Sequence, residues 1–193
     1  MDLSRRQVEL QAEAAVVQEE LGLEDLLPAA GTVVPVGSAA LGLMVWRDLD
    51  LTVVCLSLDA SIVAWIGSEL AKHDQVREVV FRDDTGEWNT NAAYPDGYFL
   101  GVKCRSTSGE RWELDIWFID EPDRQPDLAH VRTLPPRLTA ETREAILLVK
   151  DAWAGRPEYG KSVSSFDIYT AVLDGGVRTL AQFDTWLNAH VKA

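Results

Sequence analysis

Asp48 and Asp50 stand one residue apart at the head of an apolar run, Leu51-Thr52-Val53-Val54-Cys55. On a strand such residues point to the same side, with α-carbons roughly 6.5 to 7 Å apart. Two carboxylates held that close repel each other, so one keeps a proton or a cation sits between them. A third candidate, Asp115, lies in another strand-like run, Trp112 to Ile119. Upstream of the pair, Gly37-Ser38 joins a strand end to a helix start, offering free backbone N–H groups, a hydroxyl and a helix dipole to a phosphate. Gly37 permits a backbone conformation, or a close approach, that a side chain would block. Each piece alone has a plainer use, as an ordinary turn or as solvated acids at a strand end. Together, three inward carboxylates beside a phosphate-sized turn point to a divalent-metal site for phosphoryl chemistry. No P-loop is present, since no Lys-Ser or Lys-Thr follows the glycine.

The elements that must position these residues follow from the patterning. Leu10, Ala14, Val17 and Leu21 mark a helix over 3–21, broken by Leu26-Leu27-Pro28 through Gly31. Thr32 to Val36 reads as a strand, which Pro35 assigns to an edge. A short helix follows over Ala39 to Gly42. In the strand Asp48 to Leu56, Leu49, Leu51, Val53 and Cys55 face one way and Asp48, Asp50, Thr52 and Val54 the other. Ser61 to Lys72 is amphipathic, Val76 to Phe81 is a strand, and Arg82 to Pro95 is a long polar loop that brings Trp88 and Tyr94 toward an acceptor site. Tyr98–Cys104 and Arg111–Ile119 form a hairpin across Ser106-Thr107-Ser108-Gly109. Glu121-Pro122-Asp123-Arg124-Gln125-Pro126 is the clearest boundary, and beyond it the pattern turns helical. Thr139 caps a helix striped by Ile146, Val149 and Trp153 and stopped by Gly155 and Pro157; two more helices span Ser164 to Leu173 and Thr179 to Val191.

Composition narrows the partners. The 193 residues suit one domain, or one core with an appended lobe, and 47% hydrophobic content with seven tryptophans supports a sizeable core. No apolar run reaches the length of about 20 residues that a bilayer span needs. The start, Met1-Asp2-Leu3-Ser4-Arg5-Arg6, lacks a signal-peptide core, so a cytoplasmic protein with no membrane partner is expected. Cys55 and Cys104 fall in apolar strands and read as reduced core residues; with only His73, His130 and His190 elsewhere, they do not make a zinc site. A net charge of −13, from 18 basic and 31 acidic residues, argues against an extended nucleic-acid footprint. A local basic funnel within that acidic surface remains compatible.

The run Gly37-Ser38-Ala39-Ala40-Leu41-Gly42 through Asp48-Leu49-Asp50-Leu51, with Asp115 in Glu113-Leu114-Asp115-Ile116, resembles the signature of the DNA polymerase β-type nucleotidyltransferase superfamily. The resemblance covers about residues 30–120. Arg47 stands where many members have Ser, and the gap from Gly37 to Asp48 is about a residue short of the commoner form, so no subfamily is assigned. Leu148-Val149-Lys150-Asp151-Ala152-Trp153 and Ser164-Ser165-Phe166-Asp167-Ile168-Tyr169 look like the central helical region of poly(A)- and uridylyl-transferring members. The expected fold is α+β: an N-terminal helix (1–27) packed on a nucleotidyltransferase-like mixed sheet (28–122), then a helical lobe (123–193).

The resemblance implies transfer of a nucleoside monophosphate from a nucleoside triphosphate to an acceptor hydroxyl, with release of pyrophosphate. It casts Asp48, Asp50 and Asp115 as ligands of two Mg²⁺ ions, with Asp115 also a general base. Gly37, Ser38, Lys150 and Ser165 become triphosphate contacts, and Phe166 the base platform, with Tyr169 its rival. Two plainer readings stay open: Lys150 as a snorkelling lysine at the edge of the buried stripe, and a capping serine ahead of a core Phe166. A small-molecule or protein acceptor leads, cationic by the acidity of the surface. Addition to an RNA end is the alternative, and a non-catalytic nucleotide- or partner-binding member of the fold is the other class.

Overall fold

The computed structural model describes residues 2–190. A five-stranded mixed sheet carries helices at one face and at one end. β1 (Thr32–Val36), β2 (Asp48–Val54), β3 (Val76–Asp84), β4 (Gly97–Arg105) and β5 (Arg111–Ile119) stand in the order β1-β2-β5-β4-β3. Only β2 and β5 are parallel; the other three pairings are antiparallel. Pro35 sits on the edge strand β1, the place in a sheet where proline is tolerated. The β4–β5 hairpin forms across the Ser106–Gly109 turn, as its turn chemistry predicts.

Helix α1 (Leu3–Glu20) starts at Asp2, whose carboxylate accepts the Arg5 N–H, and buries Leu10, Ala14 and Val17. Short α2 (Leu23–Leu26) and a 3₁₀ turn at 27–29 then break the chain ahead of β1. Helix α3 (Gly37–Leu41) begins at the Gly-Ser turn itself and ends on Gly42 at φ +69°, a left-handed cap that glycine adopts without Cβ strain. Helix α4 (Ala60–Ala71), capped by Asp59, closes the apolar sheet face. Leu49, Leu51, Leu100, Leu114, Ile116 and Phe118 converge there with α1.

After the boundary, α5 (Pro126–Thr133) places Leu128 on Val36 and Ile119. This helix is absent from the sequence reading, because its apolar positions are too few to declare a stripe. Helices α6 (Ala140–Trp153), α7 (Ser165–Leu173) and α8 (Leu180–His190) make a second core with Leu41 and Leu43. The expected end of α8 at Val191 lies outside the described residues. Thr139 and Ser164 cap α6 and α7, the latter in a reciprocal box with Asp167. Among the shifted boundaries, β3 runs on to Asp84, shortening the polar loop, and β2 stops at Val54. Cys55 and Cys104 are buried free thiols. No helix among the described residues is long and apolar enough to cross a membrane.

Candidate active site

The parallel register decides the site. Asp50 pairs with Asp115 and Asp48 with Glu113, so the three aspartates share the sheet face opposite the core. Strand β1 closes the other side, with Val36 beside Asp50. The chain turns there at Gly37, with φ +63°, and a Cβ built on it would overlap the Asp50 carboxylate. Glycine is required twice over, by the left-handed backbone and by the approach. Buried Ser38 donates its hydroxyl to Asp48 Oδ1 at 3.4 Å.

Burial and like charge act together on these carboxyls. Asp50 is pushed up to about 8, first by burial, then by Asp48, Asp115 and Asp127, with Lys150 opposing. Asp48 is raised by burial, against Lys150 and hydrogen bonds from Trp46 and Ser38. Asp115, the most open of the three, is raised by partial burial and then by Asp48 and Glu113, while Arg82 pulls it down. Such a cluster shares protons or takes a cation. Among the described residues, no three His, Cys, Asp or Glu side chains are already gathered closely enough to hold an ion. The two strands put hard oxygen donors on one face, a chemistry that suits Mg²⁺.

A cleft of about 580 Å³ opens over Asp48 and Asp50, between the sheet end and α5 and α7. Gly37, Ser38, Ser165 and Phe166 line it, whereas Asp115 stands beyond its wall on the open sheet face. Ser165 is half-buried and shares a 2.6 Å hydrogen bond with the Tyr159 hydroxyl. Phe166 is 46% exposed and lies parallel to His130, ring centroids 4.3 Å apart, so it is a cleft residue and not a core one. Tyr169 is buried at the cleft floor.

Lys150 is buried beneath the cleft and does not line it. Its ammonium donates to the Leu43 carbonyl at 2.9 Å and to the Tyr169 hydroxyl at 3.4 Å. It also lies 5.3 Å from the Trp46 ring centroid. Burial pushes the ammonium down from the ordinary lysine range, while Tyr159, Asp48 and Asp50 hold it up. In the helix pattern Lys150 falls at the stripe's edge, but Trp46 and Tyr169, arriving from other elements, cover it.

Tyr94 reaches the cleft wall, while Trp88 stays 67% exposed and takes no part in that wall. Sequence reasoning gave no site role to Trp46, Asp127, His130 and Tyr159, all of which line the cleft. Asp127 adds a fourth negative charge against Asp50. Its signal was a carboxylate directly after Pro126, at the start of a helix that the pattern did not declare.

No protein-family model and no curated protein sequence matches the chain. Solved structures do. A cytoplasmic RNA terminal U-transferase superposes with TM-score 0.58 at 20% identity, over 89% of this chain and 53% of its own. A mutant of the Cid1 poly(U) polymerase bound to MgATP gives 0.57 at 20%, over 90% and 55%. CdnC from E. coli MS115-1 with ATP gives 0.52 at 19%, over 95% and 66%. This chain therefore has the nucleotidyltransferase fold, an α+β architecture on a mixed sheet. It spans about half the length of the U-transferase structures it resembles.

Proposed function

We propose that the protein is a metal-dependent nucleotidyltransferase that moves a nucleoside monophosphate from a nucleoside triphosphate to an acceptor hydroxyl. One observation carries this reading: Asp48, Asp50 and Asp115 share a face of two adjacent parallel strands, with Gly37 closed against Asp50 at the mouth of a nucleotide-sized cleft. The likeness to U-transferase and CdnC structures supports the same class of chemistry.

The acceptor oxygen attacks the α-phosphorus, a new P–O bond forms, and the bond to the bridging oxygen of pyrophosphate breaks. Asp115 takes the proton that the hydroxyl loses, a role suited to a raised carboxyl facing the open side. Asp48, Asp50 and Asp115 would hold Mg²⁺, two ions by the superfamily resemblance, supplying charge neutralisation on the triphosphate and acidifying the acceptor hydroxyl. Ser38, Ser165 and the backbone N–H groups after Gly37 meet the phosphates. Phe166 offers the base a stacking face, with His130 on its other side or displaced by the base. Lys150, covered from the cleft, acts through charge as the buried counter-ion of Asp48 and Asp50.

The U-transferase likeness favours an RNA end as acceptor, and the net charge of −13 favours a small cationic one. Thermal stability against ATP, GTP, CTP and UTP, with and without Mg²⁺, tests the common chemistry. A metal-dependent rise in Tm with one nucleotide, lost in Asp48→Asn, is the expected result. An Asp48→Asn, Asp50→Asn double variant with unchanged Mg·NTP affinity and turnover would sink the assignment.

A further inference from the structure

Beyond the nucleotide cleft, the face of the sheet that carries Asp115 holds a stack of Phe99, Trp117 and Arg82 at one end and is exposed at the other. Along β5, Arg111, Glu113 and Asp115 are exposed in alternation with buried Trp112, Leu114 and Ile116. Strand β4 continues this face, Lys103 pairing with Glu113 and Arg105 with Arg111. Next to Asp115 the register places Gly101, over which the Phe99 ring lies. A groove of about 340 Å³ follows, walled by Arg77, Glu78, Lys103, Arg105, Arg111 and Glu113.

Those walls carry four cations and two anions, a local excess of positive charge on a chain of net −13. Lys103 is satisfied by Glu78 at 3.0 Å. Arg77, Arg105 and Arg111 form no ion pair among the described residues, although acidic side chains outnumber basic ones. Arg47, nearby in sequence to the site, shows the contrast: it is tied to both Glu13 and Glu110. Three guanidiniums without ion-pair partners thus line one short groove. Arginine forks suit phosphate oxygens in two-bond geometry. Arg111 is four residues from Asp115 on the same strand face, a span of about 13 Å.

We propose that this groove binds the phosphate backbone of a short single-stranded nucleic-acid acceptor, whose terminal hydroxyl then lies at Asp115. The inference rests on the transfer reading and names its acceptor. It also reconciles the acidic chain with a nucleic-acid substrate: two or three phosphates are gripped next to the site, and no longer track is needed.

The test uses the whole chain and a fluorescein-labelled ten-nucleotide single-stranded RNA, with anisotropy read across a salt series. Three phosphate contacts give a log–log salt slope of about −2 on single strands. Arg105→Glu with Arg111→Glu is expected to weaken binding at least tenfold and bring the slope to about −1 or shallower. Arg105→Gln with Arg111→Gln, a milder pair, is expected to fall between. Arg5→Glu, a single charge reversal at the exposed start of α1, is expected to bind as wild type. The inference is overturned if wild type does not bind the RNA, if Arg5→Glu loses as much as the groove pair, or if polyglutamate competes as well as RNA. Mg·NTP thermal shifts run in parallel separate the two readings. A normal nucleotide shift without RNA binding removes the groove and leaves the transferase with a small acceptor. Arginine-dependent RNA binding without any nucleotide shift keeps the groove and removes the transferase.

Discussion

Gly37 and Asp50 occupy adjoining space: the backbone of the turn passes where the carboxylate of the strand leaves no room for a Cβ. Gly37→Ala is expected to combine a left-handed-backbone penalty of about 1–2 kcal/mol with displacement of the Asp50 carboxylate. Mg·NTP affinity should fall at least tenfold. Gly86 has a similar φ of +55° with nothing within 4 Å of a built Cβ, so Gly86→Ala isolates the backbone cost and should leave nucleotide affinity untouched. Denaturation and nucleotide titration of both variants check the contrast.

Asp50 sets a pH dependence. The unfolded carboxyl titrates near about 4, whereas burial and its neighbours push it to about 8 in the fold. Between those values the native protein holds a proton that the unfolded chain has released. Its contribution to stability is thus complete below about pH 4 and lost as pH rises toward 8. Without Mg²⁺, Tm should decline over this window, and Asp50→Asn should flatten the decline. Added Mg²⁺ should stabilise wild type more at pH 8 than at pH 5, which melting curves at both values would show.

Asp115 stands outside the nucleotide cleft, on the face toward the groove. Asp115→Asn is therefore expected to keep Mg·NTP affinity within about threefold while transfer falls by about 100-fold or more, the range of a lost general base. Asp48→Asn is expected to lose both. Binding by thermal shift and turnover by pyrophosphate release distinguish the two patterns.

Lys150 joins the Leu43 carbonyl to the aspartates from below. Lys150→Met removes the buried counter-charge and leaves that carbonyl unpaired, a loss expected to be about 3 kcal/mol. The protonation of Asp48 and Asp50 should move further up, since Lys150 holds both down. A direct phosphate ligand would show a different signature, with nucleotide affinity collapsing in a protein of unchanged Tm.

Local periodicity alone determined that Asp48 and Asp50 face one way, because side chains on a strand alternate with period two. Capping chemistry was equally legible at Thr139 and Ser164, whose partners lie within three residues. Tertiary structure decided the rest. Asp115 reaches Asp50 only through a parallel register across 65 residues of sequence, and a slip of one residue would turn it into the core. The burial of Lys150 depends on Trp46 and Tyr169 from other elements. Asp127 joins the site because α5 packs on Val36 and Ile119. The groove appeared for the same reason: Arg77, Arg105 and Arg111 are scattered singly along the chain, and only the pairing of β3, β4 and β5 sets them side by side. Alternation is a property of one strand, whereas register and shared cover are long-range packing outcomes that no local pattern encodes.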